Sequence, residues 1–457
     1  MDVKLAEQFM LKLIEKSSEY GFEEAEASFM NSSSMSVDIL NGEVSSYERS
    51  SDQGVSFRGK INGQMGTAAT TEFDDDALDF LLSSALENIG VLNDEDEHFI
   101  YCDPNNSNLR YEALSPNYVK NTYNRFAEIG LELEKRILAI DPAVKGVDYL
   151  SISCGTGPQI IINSKGLHAY RDDDSVSIYA GAHAEKDGVV KSGGYYWYGT
   201  DIDEFNAETF TKELEKRLMG KFGARSMPSG SYDIVLGNEA FISMIMTFFG
   251  NFSGYSMMKG ISLLAGKEGE TIAAPCFTLK EDPFYEKAIY KVPFDSEGVT
   301  TRAKAFIDKG VFKTAMYNLR SAAMAGKEST GNGFKSGYKA NVSASFTNLV
   351  VEPGTKNFEQ LCETVGDGVY ITELNGLHAG VNAISGDFSL FCEGYRIKGG
   401  KISNAVEQIT ISDNFYSVLK KISEVGNDVI AEPHGEGEFF CPSVIIKDIS
   451  VAGDAEE

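Results

Sequence analysis

SVDILNGEVSSYERSSDQGVSFRGKINGQMGTAAT, from Ser36 to Thr70, alternates short apolar and polar runs around two Asn-Gly dipeptides, Asn41-Gly42 and Asn62-Gly63. Both dipeptides accept the positive φ angles of tight hairpin turns, so the stretch reads as strands folding back on one another. An antiparallel sheet is expected over residues 25–71. Ahead of it, Val3, Ala6, Phe9, Met10, Leu13 and Ile14 recur at helical spacing, with Gly21 available as a left-handed stop. Behind it, Asp74, Asp75 and Asp76 precede an apolar-periodic run to Gly90. Negative charge at that point favours a helix N-terminus.

Further along, residues 91–114 are polar and weakly periodic, and Ser115-Pro116 offers an N-cap and first-turn proline for a long helix ending near Asp141-Pro142. Strands with turns at 164–166 and 186–188 follow over 148–198, then a helix over about 206–222. Residues 39–50 loosely echo 161–172, as a duplication or as convergent hairpins. After Met227-Pro228 a strand, SYDIVL, leads into an apolar helix over 241–252 and then a long glycine-punctuated, strand-rich region. These shifts divide the chain into 1–114, 115–226 and 227–457. Helices and strands come in blocks without βαβ repeats, which predicts an α+β fold of mostly antiparallel sheets with flanking helices.

The net charge of −27 repels a phosphate backbone, so nucleic acid is not an expected partner. No apolar run approaches the roughly 20 residues of a membrane-crossing helix. The N-terminus mixes acids and bases through an amphipathic pattern, unlike a secretory signal. Six scattered cysteines without a CxxC pair suit reduced thiols and a cytoplasmic location.

Neither GxSxG nor HExxH nor HExxxH occurs. GISLLAGKEG, residues 260–269, has one residue too many for a phosphate loop and places Glu268 where a hydroxyl would bind magnesium. TGNGFKSG, residues 330–337, lacks the strand and helix a dinucleotide loop requires, and Asp172, Asp173 and Asp174 read as an acidic hairpin turn. His98, His168, His183, His378 and His434 never pair at metal-ligand spacing. His378 alone sits among small residues, in GLHAGVNAISGDFSL, where backbone can approach a ligand or another chain closely. A triad of His378, Ser385 and Asp387 is conceivable there, against the plainer reading of a structural histidine.

The 36–70 stretch, PFDSEGVTTRAKAFIDKGVFKTAMYNLRSAAMAGKESTGNG (293–333) and GLHAGVNAISGDFSLFCEGYRIKGGKI (376–402) together resemble the TldD/PmbA family, known as modulators of DNA gyrase and as peptide-processing proteases. In the zinc-bearing TldD branch, HExxxH lies shortly before a segment resembling residues 253–270. Counted without gaps, its three functional positions fall on Ile245, Met246 and Gly250. A further zinc-ligand cysteine of that branch has no counterpart within 425–437, and Cys441 comes too late to replace it. The resemblance therefore implies the PmbA-like branch: no metal or other cofactor in this chain, with zinc only in a TldD-like partner. It implies a dimer, with that paralogue or with itself, enclosing unfolded or short peptides for proteolysis or peptide maturation. His378, Asn382, Ser385 and Asp387 are the candidates for lining such a cavity, and no catalytic residue is assigned. Hydrolysis would depend on the partner. The alternatives are an independently active metallopeptidase built from His378, Cys392 or acidic residues, and a homodimeric peptide-binding scaffold.

Overall fold

The computed structural model describes residues 3–89 and 99–454. The chain forms two compact units, one of Met1–Phe222 with Pro293–Val299 and Lys335–Val342, the other of Gly223–Val292, Thr300–Phe334 and Ser343–Glu457.

In the first unit, α1 (Val3–Ser17) ends through a short 3-10 turn at Gly21, whose φ of 84° is the left-handed stop. Three strands follow, β1 (Glu24–Leu40), β2 (Glu43–Ile61) and β3 (Gln64–Thr70). Asn41 and Gly42 turn at φ 56° and 79°, Asn62 and Gly63 at 50° and 81°. The expected sheet over 25–71 is present for the reason its Asn-Gly pairs gave. Asp74 then caps α2 (Asp75–Asn88) by accepting from the Ala77 amide at 2.8 Å. Gly90 and His98 lie outside the described residues.

The polar stretch before residue 114 contributes a short strand, β4 (Asn108–Tyr111). The helix expected at Ser115-Pro116 begins later. Ser115 caps only a 3-10 turn, Pro116–Lys120, because Asn121 and Thr122 adopt extended backbone. Thr122 is the cap of α3 (Tyr123–Leu138). Next come β5 (Val144–Thr156), β6 (Gln159–Asn163), β7 (His168–Arg171), β8 (Asp174–Lys186), β9 (Val189–Gly199) and α4 (Ala207–Met219), the last capped by Asn206. Asp172 and Asp173 join β7 to β8, which are not paired, so they do not form a hairpin turn. Each of the three aspartates is drawn to a different partner: the Asp172 carboxylate accepts the Ala113 amide at 2.6 Å, that of Asp174 accepts the Ser115 amide at 2.5 Å, and the Asp173 backbone carbonyl takes the Thr156 hydroxyl.

β1 organises this unit. One edge pairs with β2 along its whole length, while the other pairs with β6 over Glu26–Met30 and with β5 over Ser33–Asp38. The odd-numbered face carries Ala27 and Phe29 against α1 and α2, and Met35, Val37 and Ile39 against α3 and α4. Each large side chain fully buried there contributes about 1.5–3 kcal/mol. The even-numbered face is divided. Over Glu26 and Ser28 it is covered by the two segments from later in the chain: Phe294 packs on Ile161, Leu167 and Ala169, and the Tyr338 ring lies on Gly54. Over Ser32–Asp38 no helix among the described residues of the unit covers it, and Ser32 and Ser34 are exposed while Ser36 is half-buried.

The second unit holds β10 (Gly230–Leu236), α5 (Asn238–Phe248), α6 (Gly254–Met258), β11 (Leu279–Glu281), β12 (Lys304–Asp308), β13 (Val311–Phe312), α7 (Leu319–Ala325), β14 (Gly333–Phe334), β15 (Ser343–Ala344), β16 (Leu349–Val351), α8 (Phe358–Val365), β17 (Gly368–Asn375), β18 (Asp387–Lys398), β19 (Lys401–Asn414), α9 (Phe415–Lys421), β20 (Ile422–Val425), β21 (Ile430–His434), β22 (Gly437–Cys441) and β23 (Val444–Ala452). One sheet runs β10-β17-β18-β19-β23-β20 and closes through an added β10–β23 pairing; a second runs β13-β12-β11-β16-β22-β21. Antiparallel pairing dominates, as the blockwise sequence implied. The apolar run 241–252 is helical to Phe248 and then tightens into a 3-10 turn, Phe249–Phe252. It is a core helix, with Phe248 stacked 4.5 Å from Phe415 and Phe241 meeting Phe277 edge-on.

Candidate functional site

The glycine-rich segment 376–387 is a turn system held by its own side chains. The Asn382 carboxamide oxygen accepts the amides of Ile384 and Ser385 at 3.1 Å, closing the tip. Ser385 donates its hydroxyl to Asp387 at 2.8 Å, and Asn414 donates to the same carboxylate at 2.9 Å and to the Ser385 carbonyl. These two hydrogen bonds hold the Asp387 carboxyl below its ordinary value. Asn382, Ser385 and Asp387 thus come together, and their polar groups shape the loop. His378 stands apart, exposed, with no hydrogen bond or ion pair to Ser385 or Asp387. The imagined triad is not assembled: Ser385 has an acid beside it and no base.

The other described histidines are engaged locally: His183 with Asp148 at 2.6 Å, His434 with Glu432 at 3.2 Å, and His168 with Glu7 at 2.6 Å. Cys392 is buried in the core, where burial pushes its thiol up to about 12, so a thiolate is not available for metal or nucleophilic chemistry at neutral pH. Among the described residues, no three His, Cys, Asp or Glu side chains converge as a metal-binding group.

The positions that matter for zinc lie on and just after α5. Ile245 points into the core, Met246 is half-buried against it, and Gly250 is exposed without a side chain. Isoleucine and glycine offer no donor atom, and a thioether is a poor zinc ligand. The residues present do not fit the ion. In the 425–437 stretch beyond, the Asp428 carboxylate is occupied by the Ser443 hydroxyl at 2.7 Å and the Ser443 amide at 3.1 Å, and His434 is engaged by Glu432 at 3.2 Å.

Two buried polar networks escaped sequence reasoning. In the second unit, Glu281 is fully buried and accepts from Lys304 at 2.6 Å, from the Thr347 amide and hydroxyl at 2.7 and 2.8 Å, and from Asn332. This anchors the STGN loop, whose Thr330 carbonyl also accepts from Lys304 at 2.9 Å. In the first unit, Arg58 donates to the buried Glu26 at 2.7 Å. Lys335 lies against the same ladder and donates to Ser56 at 3.3 Å. Burial, reinforced by the nearby Arg58 guanidinium and opposed by Glu26 and Glu297, lowers the Lys335 ammonium to about 8. Nothing in spacing announces either network, since each joins residues tens to hundreds of positions apart. The one available signal was an acid or base falling at a strand position that alternation makes inward-facing.

An α+β chain of two sheet-built units, the second folded around a helix without metal donors, is the structural class these observations define. The chain matches family models for the PmbA/TldA metallopeptidase domain 1 over residues 25–89, the central domain over 120–222 and the C-terminal domain over 229–453. It belongs to the PmbA/TldA metallopeptidase family. It is 24% identical to the metalloprotease PmbA of Escherichia coli O157:H7, over 94% of this chain and 92% of that one. A crystal structure from Thermotoga maritima, of a candidate modulator of a DNA gyrase, superposes with a TM-score of 0.87 at 30% identity, covering 98% of this chain and all of the other. TldE from Thermococcus kodakarensis shares the fold, with a TM-score of 0.87 at 22% identity, 97% of this chain and 100% of that one. No helix among the described residues is long and apolar enough to cross a membrane.

Proposed function

We propose that this chain is the non-zinc, PmbA-like subunit of a cytoplasmic peptide-processing pair, enclosing unfolded or short peptides while a TldD-like partner supplies the zinc that cleaves them. The supporting observation is the chemistry of α5 and the turn after it: Ile245 buried, Met246 packed on the core and Gly250 bare leave the zinc-bearing branch's three positions without a ligand or a base. A scaffold that keeps the family fold while filling the metal helix with apolar side chains suits binding and enclosure rather than hydrolysis of its own. In this reading His378 is the one candidate of the 376–387 segment whose side chain is left to meet a peptide, and Asn382, Ser385 and Asp387 hold the loop that presents it. The test is co-expression with a TldD-like paralogue. The two are expected to co-purify, with about one zinc per pair lost when the paralogue's HExxxH is removed. Failure to co-purify, with peptide cleavage by the paralogue unchanged in this chain's absence, would reject the proposal.

A further inference from the structure

The even-numbered face of the first unit's sheet, beyond the part covered by the docked segments, has a composition of its own. Cross-strand register places Asp38, Ser151, Tyr179 and Tyr196 in one row and Glu48, Ser36, Ser153, Ser177 and Tyr198 in the next. Tyr149, Tyr179 and Tyr196 are 49%, 42% and 40% exposed, large for aromatic side chains on a sheet. They form a connected patch: Tyr149 and Tyr179 lie 5.7 Å apart, and Tyr196 stacks on Tyr198 at 5.8 Å. The patch lies flat because Gly194 has no side chain, and a Cβ there would sit 2.7 Å from the Tyr179 hydroxyl.

On β1 and β2 the charges of this open part have one sign, and His183 on β8 is paired with Asp148 at 2.6 Å. Asp38, Glu48 and Asp52 fall on the even-numbered side, whereas Arg49, the nearest base in sequence, alternates to the other side opposite Met35. Asp38 is half-buried there, and Glu48 and Asp52 are exposed.

We infer that this serine and tyrosine face binds an extended polypeptide segment carrying lysine or arginine. Ser153 and Ser177 bond each other at 2.9 Å, and serine hydroxyls, which both donate and accept, keep further capacity for the amides and carbonyls of an extended chain. Their spacing of about 6.8 Å along alternate residues of one strand matches the two-residue repeat of such a chain. The tyrosine rings offer flat apolar area and cation–π faces to basic side chains, and the carboxylates complete the match of charge. The same carboxylates repel phosphate backbones and acidic peptides. The inference rests on the peptide-binding reading above and names where, and for which peptides, this chain acts.

The test uses the full chain and a fluorescein-labelled unstructured dodecapeptide of glycine, serine and four lysines, beside one with four glutamates, read by anisotropy. The lysine peptide is expected to bind, more weakly as salt rises, and the glutamate peptide at least about tenfold worse. Tyr179→Ala with Tyr196→Ala weakens binding roughly tenfold, while the paired Phe variants retain it. Asp38→Asn with Glu48→Gln weakens binding and flattens its salt dependence. Equal affinity for the two peptides, affinity untouched by these substitutions at unchanged unfolding midpoints, preferential binding of an oligothymidylate, or no binding at all each overturns the inference. Co-purification of the same variants with the TldD-like paralogue separates the two ideas. Normal pairing with unaltered peptide binding sinks this face alone, whereas peptide binding without pairing sinks the subunit reading alone.

Discussion

Glu281→Gln keeps the shape of a fully buried side chain and removes its charge, leaving Lys304, whose side chain is 9% exposed, as an uncompensated buried cation. The glutamine amide can still meet Thr347, but its nitrogen must face either Lys304 or Asn332, both of which are donors. Breaking one side of a buried ion pair costs about 3–5 kcal/mol, a large share of a total stability of roughly 5–15 kcal/mol. Lys304→Met removes the orphaned charge and spares the Glu281 bonds to Thr347. The double variant is therefore expected to be more stable than the sum of the singles predicts by about 1–3 kcal/mol. Urea unfolding followed by far-ultraviolet circular dichroism is the suitable assay, because the one tryptophan, Trp197, belongs to the first unit and its fluorescence reports there. A loss below about 1 kcal/mol for Glu281→Gln, or a strictly additive cycle, would refute the claim that this pair holds the STGN loop.

Three further outcomes follow from the same reasoning. Lys335 titrates near 8 in the folded chain against an ordinary value of 10.5, so the folded state sheds its proton first. Stability is then expected to rise by up to about 3 kcal/mol as pH climbs from 8 toward 10.5, and this rise should be missing from Lys335→Met in parallel pH-dependent melts. Gly54→Ala would place a methyl 2.4 Å from the Tyr338 ring. A loss of about 1–3 kcal/mol is expected, largely relieved by adding Tyr338→Ala, and equal losses in both backgrounds would contradict the contact. Burial raises all three thiols, but Cys276 is exposed while Cys392 and Cys441 are buried, so access decides: mass spectrometry after brief iodoacetamide treatment should find the first alkylated and the other two only after denaturation.

What could be read from the sequence was what a few adjacent residues decide. Asn41-Gly42 and Asn62-Gly63 fix their turns by local backbone preference, Asp74 and Asn206 cap helices within three residues, and the apolar run 241–252 declares a core helix by density alone. Ser115-Pro116 misled because the same cap chemistry serves a 3-10 turn as readily as a helix, and only the extended backbone at Asn121 and Thr122 separates the two. The site was harder for a different reason. The alternation of Ser32, Ser34 and Ser36 marks a strand with one polar face, as does that of Glu26 and Ser28 on the same strand. Which polar stretch is sealed and which stays open depends on Lys335 reaching Ser56 across 279 residues, a contact no local window contains. A strand that carries Glu26 under cover and Asp38 at an open face asks opposite things of two carboxylates. The first must find Arg58 inside the fold, and the second stays half-buried beside the exposed Glu48.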